Sequence, residues 1–296
     1  MDVVAMETRV TNRRTSDIRE PEPLVAPRGP IFPRLDLTRI SPHLPQTQRI
    51  RIEINGCLCG APVAIPDAVT EFATGWAFAN RFFDRHDQVS KISATATHVS
   101  LMVAGGCDLD RRRYEAIGWI PRQDLIDADG LPQAERLPRA VPVMTELDAV
   151  SVFERTFGQF DDDGARAGYT HAGLATVEEV TCVARDLGPD AALYKVLGWA
   201  LASGAGCETS ALVMHGVIDA GQVEAAVRAG IPIVATDAVP TRGAIDVAKH
   251  HCITLVGLAR STRRGVFVDG GHLGDPSWSE WEDLFGSPHQ ASRAST

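Results

Sequence analysis

The sequence predicts an α/β protein. Ala211–Met214, Ile231–Ala235 and Ile253–Leu258 are short apolar runs of the kind found in parallel strands buried on both faces. Helical periodicity fills the gaps between them. Asp219 precedes Val223, Ala226 and Val227, and Gly230 stops that segment; Thr241 precedes Ala244, Ile245, Val247 and Ala248. Two consecutive strand–helix–strand units imply parallel pairing. Upstream, Asn55-Gly56 between IRIEI and LCGAPVAI is a hairpin-turn dipeptide, so a smaller α+β domain precedes the parallel units.

In chain order, residues 1–48 are rich in Pro, Arg, Ser and Thr without sustained periodicity and read as a flexible extension. From Arg49 the hairpin leads through Pro66-Asp67 into a helix over Ala68–Phe83, with Val69, Phe72, Ala73, Trp76 and Phe82 as its core face. Strands at Val89–Ile92 and Thr97–Val103 complete the small domain, residues 49–147 with the inter-domain loop; Cys107–Arg139, charged and Pro-punctuated, carries no legible element. The second domain, residues 148–274, opens on an amphipathic helix over Asp148–Phe160 with Asp148 as its N-cap. Asp161-Asp162-Asp163-Gly164 is a solvated turn, because the later ligand positions and closing Glu of a calcium loop are absent. His171–Ala175 and Val180–Arg185 read as paired strands, and Asp190–Ala202 as a helix burying Ala192, Leu193, Val196, Leu197 and Ala200. In the tail, residues 275–296, Trp278, Trp281, Leu284 and Phe285 mark a short amphipathic segment that docks on its own domain or on a partner.

The chain has 296 residues and a net charge of −9, which argues against broad nucleic-acid binding but permits a local basic pocket. No apolar run approaches a membrane span and the first residues lack an apolar signal core, so a cytoplasmic protein is expected. Cys57, Cys59, Cys107, Cys182, Cys207 and Cys252 form neither a Cys-x-x-Cys nor a zinc spacing; no metal site is expected, and most are ordinary buried thiols. Cys57 and Cys59 alternate on the returning hairpin strand, which would place both sulfurs on one face.

In open α/β sheets, ligands sit outside the carboxyl ends of the strands. The turns there hold His215-Gly216, Thr236-Asp237, Pro240-Thr241 and Arg260. Helix starts at Asp219 and Thr241 would aim free backbone N–H groups at that crevice, and Arg260 would add a cation able to grip a phosphate through two hydrogen bonds. The plainer alternative has Asp237 and Thr241 serving turns and caps, with Arg260 solvated.

The order of segments resembles the FdhD family of formate dehydrogenase accessory sulfurtransferases. INGCLCGAPVAIPD followed by TEFATGWAFANRFF is similar to the family's strand-turn and helix pattern through Asn55, Gly56, Pro66, Asp67, Ala73, Gly75 and Phe78, with Asn80 and Arg81 replacing its closing acidic residue and glycine. YTHAGLA resembles TGG-x-H-A-A through His171 and Ala172. VARDLGPDAALYKVLGWAL resembles R-E-D-V-G-R-H-N-A-L-D-K-V-I-G through Asp186, Gly188, Ala192, Leu193, Lys195 and Gly198, while Arg185, Pro189, Asp190, Ala191 and Tyr194 depart from it. His215-Gly216-Val217 stands for S-G-R, and Val239-Pro240-Thr241 for A-P-T.

The resemblance implies a cytidine-deaminase-like three-layer α/β/α second domain and a homodimer. It also implies that a molybdopterin guanine dinucleotide type cofactor is bound as cargo, molybdenum or tungsten, at His171, Asp186, Gly188, Lys195, His215, Gly216, Asp237, Pro240, Thr241 and Arg260. The implied partners are a formate dehydrogenase or another molybdenum enzyme, and a cysteine desulfurase. The family's sulfur relay uses a Cys-x-x-Cys loop, because only a thiolate attacks a donor persulfide. Here Ile117 and Ile120 occupy those positions, and Cys107 upstream is the weak substitute. Three readings follow: an accessory protein of that family, a non-catalytic homologue acting as a binding or assembly partner, and an enzyme using His171, His215 and Asp237 in acid–base chemistry. A zinc deaminase is not expected, since His171-Ala172-Gly173 lacks the general-acid Glu and no P-C-x-x-C exists.

Overall fold

Asn55 and Gly56 turn the chain with φ of 52° and 82°, the pair of positive values that a tight hairpin turn demands. The computed structural model describes residues 45–105, 142–160 and 168–274. The expectations for residues 1–44, Cys107, the loop with Ile117 and Ile120, the Asp161–Asp163 turn and the tail lie outside the described residues.

The first part comprises β1 (Gln48–Arg49), β2 (Arg51–Ile54), β3 (Cys57–Gly60), β4 (Val63–Ala64), α1 (Val69–Ala79), β5 (Val89–Ala94) and β6 (His98–Val103). Strands β3, β2, β6 and β5 form one sheet in that order, antiparallel except for β2 and β6, while β1 and β4 pair separately. Helix α1 stops at Ala79 rather than Phe83. The Asn80 side-chain amide donates to Trp76 O at 2.8 Å, and Arg81 turns left-handed at φ 59°. Phe82 still reaches the core, its ring 5.5 Å from that of Trp76. Cys57 is exposed and Cys59 buried, so the two sulfurs do not share the environment that alternation suggested.

The second part continues with β7 (Met144–Thr145), α2 (Glu146–Gly158), β8 (Thr170–Ala175), β9 (Val180–Asp186), α3 (Pro189–Ser203), β10 (Ala211–Met214), α4 (Ala220–Arg228), β11 (Ile233–Thr236), α5 (Arg242–His251), β12 (Thr254–Gly257), β13 (Gly265–Val268) and β14 (Leu273–Gly274). Thr145, not Asp148, is the N-cap of α2. Its hydroxyl accepts from Asp148 N at 3.1 Å, and the Asp148 carboxylate accepts from Thr145 N at 3.1 Å, a reciprocal capping box. Six strands lie in the order β13-β12-β11-β10-β8-β9. As the two crossovers required, β10, β11 and β12 are parallel; β8, β9 and β13 are antiparallel to their neighbours.

Side-chain alternation gives this sheet two covered faces. Leu212, Met214, Val234 and Leu255 pack into one apolar cluster with α1, α3, α4 and α5. Ala211, Val213, Ile233, Ala235 and Val256 face the other way, against Val152, Phe153 and Phe157 of α2. Helices α1 and α3 cross where glycines meet backbone: a methyl on Gly75 would overlap the Tyr194 carbonyl oxygen, and one on Gly198 the Glu71 carbonyl oxygen. At the end of α1, buried Arg228 donates to Phe78 O and, at 3.0 Å, to Phe83 O, while Arg81 pairs with Glu224 at 2.6 Å. Burial, then the neighbouring Arg81 charge, pushes the Arg228 guanidinium down to about 10.

Candidate functional site

Because β8 runs antiparallel to β10 and β9, the start of β8 and the ends of β9, β10, β11 and β12 fall on one edge of the sheet. His215 N–H donates to His171 O at 2.9 Å, which ties the two predicted histidines across that edge. Both rings turn toward α2. His171 stacks on Phe160 at 5.1 Å, and His215 stacks on Phe157 at 5.7 Å and meets Phe160 edge-on at 4.6 Å. The two imidazoles are themselves perpendicular, with centroids 5.2 Å apart.

Polar groups close around His215. Asp237 accepts from Gly216 N–H at 2.7 Å through Oδ1 and sets Oδ2 3.7 Å from His215 Nε2. Gly216 has φ 85°, a left-handed value that glycine adopts without strain, and its carbonyl accepts from the Thr236 hydroxyl. Exposed Arg260 holds Nη1 3.4 Å from His215 Nε2, with its guanidinium 5.5 Å over the Phe157 ring. Guanidinium, imidazoles and one carboxylate on a partly open edge suit an anionic ligand that also offers hydrogen-bond donors.

The remaining predicted residues behave differently. Lys195, 2% exposed, donates to Asp67 and, at 3.0 Å, to Arg185 O, and its ammonium pairs with the Asp186 carboxylate at 2.8 Å, so it is held from three sides. Asp186 also accepts from Ile65 N at 3.1 Å and Leu187 N at 2.7 Å. Lys195 and Asp186 therefore staple the start of α1, the end of β9 and α3 together. Gly188 is the N-cap of α3, with Pro189 at the first helical position. Pro240 is buried against Gly257. The helix starts are not open: Asp219 accepts from Gly221 N at 2.9 Å and Gln222 N at 3.2 Å, and Thr241 from Ala244 N at 3.2 Å. Their own side chains fill the donors that sequence alone had left for phosphate, which shifts the anion-binding role to side-chain cations.

A cleft of about 440 Å³ links the two groups, lined in part by Asp67, Gln159, His171, Arg185 and Lys195. Phe157, Phe160, Asp67 and Arg185 escaped the sequence reading as site residues. The aromatics carry the ordinary signature of a helix core face. Arg185 had a signal: pairing of the two predicted strands sets it opposite His171. The described cysteines stand apart from this chemistry, with burial pushing the Cys182 and Cys207 thiols up to about 11 each.

Residues 45–273 match the model of the FdhD/NarQ family. A sulfur carrier protein FdhD from Methanothermobacter thermautotrophicus is 29% identical over 228 residues, covering 74% of this chain and 86% of that protein. Another from Anaeromyxobacter dehalogenans is 25% identical over 277 residues, covering 84% and 96%. Among solved structures, a formate dehydrogenase accessory protein from Desulfotalea psychrophila superposes with a TM-score of 0.62 at 21% identity, covering 78% of this chain and 90% of that one.

Proposed function

The chain belongs to the FdhD/NarQ family, and on that premise we propose that it is an accessory protein of formate dehydrogenase maturation, one that holds a molybdenum or tungsten cofactor by its guanine-nucleotide part. The observation that carries this reading is the convergence of His171, His215, Asp237 and Arg260 on one sheet edge, where the exposed Arg260 guanidinium lies beside two buried imidazoles. That donor set fits the phosphates of a nucleotide cargo. The cytoplasmic site of action, the homodimer and the partnership with a cysteine desulfurase rest on the resemblance.

A second reading, a non-catalytic homologue that binds without relaying sulfur, is favoured by one specific observation. Ile117 and Ile120 stand where the family's cysteines are expected, and the half-buried Cys182 and buried Cys207 thiols, both pushed up to about 11, are poor nucleophiles. Deleting the gene in its host and measuring formate dehydrogenase activity tests the shared part of both readings. Lost activity, restored by the wild-type chain, is expected; unchanged activity contradicts both. Labelled sulfur offered by a cysteine desulfurase then separates them, since uptake on the chain requires a relay and absence of label with restored activity requires a binding role.

A further inference from the structure

The loop between β12 and β13 carries Arg260, Arg263 and Arg264 in a chain whose net charge is −9. Backbone bonds fix its shape. Leu258 N–H donates to Ala238 O at 3.0 Å and Ala259 N–H to Thr236 O at 2.9 Å, which ties its start to the end of β11. Ser261 N–H returns to Leu258 O at 2.8 Å, and the Ser261 hydroxyl accepts from Arg263 N–H at 2.9 Å. Two of the guanidinium groups are engaged, Arg260 beside His215 and Phe157, and Arg264 with Glu154 at 3.3 Å. Arg263 differs from both: it is exposed, and its side chain has no hydrogen bond or ion pair among the described residues.

An apolar rim adjoins this loop. Val217 and Val239, in the turns after β10 and β11, are 57% and 52% exposed. Thr241 N–H donates to Ile218 O at 3.0 Å and joins those two turns, while the Leu258 bond joins the second of them to the arginine loop. Cations beside exposed apolar side chains select a cover that is acidic and apolar together. The sequence holds such a segment. Residues 275–285 contain Asp275, Glu280, Glu282 and Asp283, no Lys or Arg, and Trp278, Trp281, Leu284 and Phe285 among them. That segment follows β14, which pairs with β7 at the start of α2. Helix α2 has 13 residues, about 20 Å at ~1.5 Å each, and its far end packs on His215. Residues 275–285 extended reach about 36 Å at ~3.3 Å each, enough to pass from the start of α2 to the rim.

We propose that residues 275–285 dock on the rim of their own chain formed by Val217, Val239 and Arg263. Their carboxylates meet the Arg263 guanidinium, and their aromatic and leucine side chains cover the two valines. This goes beyond the nucleotide reading of the neighbouring edge and does not depend on it.

Carbodiimide coupling, which joins a carboxylate to an adjacent amine with loss of water, tests this on the full-length Arg263→Lys variant. Peptide mass mapping should find position 263 linked to Glu280, Glu282 or Asp283. Raising the salt from about 0.1 M to about 1 M shortens the Debye length from about 10 Å to about 3 Å and should lower the yield about fivefold or more. Adding Val239→Asp, which sets a like charge on the rim, should lower it to a similar extent. A separate Arg51→Lys variant, exposed on β2 of the first part, is the control and should link to the tail at least about fivefold less. Equal unfolding midpoints in urea establish that the variants fold alike. Mixing heavy-isotope-labelled with unlabelled protein separates the tail of the same chain from that of a second copy. Links within one copy support the proposal, and hybrid links, which would seat a second copy's tail, overturn it. Absence of links at position 263, or equal yields at positions 263 and 51, also overturns it.

Discussion

Replacing Lys195 by Met should cost far more stability than replacing Asp67 by Asn, although both remove one end of the same ion pair. Lys195 and Asp186 are 2% and 1% exposed, whereas Asp67 is 53% exposed. Losing the ammonium strands the Asp186 carboxylate in the interior, and breaking a buried pair from one side costs about 3–5 kcal/mol. Asp186 keeps its bonds from Ile65 and Leu187 N–H, so the lower half of that range applies, about 3–4 kcal/mol. Asp67→Asn removes a largely solvated partner, worth about 0–1 kcal/mol. Urea unfolding followed by tryptophan fluorescence reads both, since Trp76 on α1 and Trp199 on α3 sit on the helices that the staple joins. With a slope of about 2–3 kcal/mol/M, the midpoint should fall by about 1–2 M for Lys195→Met and by less than about 0.5 M for Asp67→Asn. Equal shifts, or a Lys195→Met cost below about 1 kcal/mol, would refute the stapling role.

Gly198→Ala should destabilise by at least the ~1–3 kcal/mol of an overpacked core, because the obstructing atom is the Glu71 carbonyl oxygen and cannot rotate away; the same urea titration decides, and a neutral outcome would remove the close crossing. Brief alkylation at pH 8 followed by peptide mass mapping should label exposed Cys57 well before Cys182 and Cys207, whose thiols sit near 11 and stay protonated; equal labelling would contradict that burial.

Periodicity and turn chemistry made the strands and helices of the second part legible, because each apolar run there is bounded by a residue with a specific backbone job. Asp219 and Thr241 do cap their helices. The same fact removed the open helix starts inferred for phosphate, since a sequence names a cap without showing that it fills the donor. The cap of α2 is Thr145, three residues before Asp148: in a capping box both ends are polar, and pattern alone does not say which is the cap. His171, His215, Asp237 and Arg260 come from separate strand ends, and only the antiparallel insertion of β8 beside β10 brings His171 to the others. Lys195 and Asp186 carried family-like spacing but no indication that they bond each other. That is a matter of tertiary distance, as is the packing of Phe157 and Phe160 on the imidazoles.

The central claim is that the sheet edge around His215 and Arg260 grips a phosphorylated nucleotide. Titrating wild type and Arg260→Ala with GDP and with guanosine measures it most directly. Wild type should bind GDP more tightly than guanosine, and Arg260→Ala should lose about 1.5–3 kcal/mol for GDP with little change for guanosine. Equal loss for both ligands, or no GDP binding by the folded wild-type protein, would contradict it.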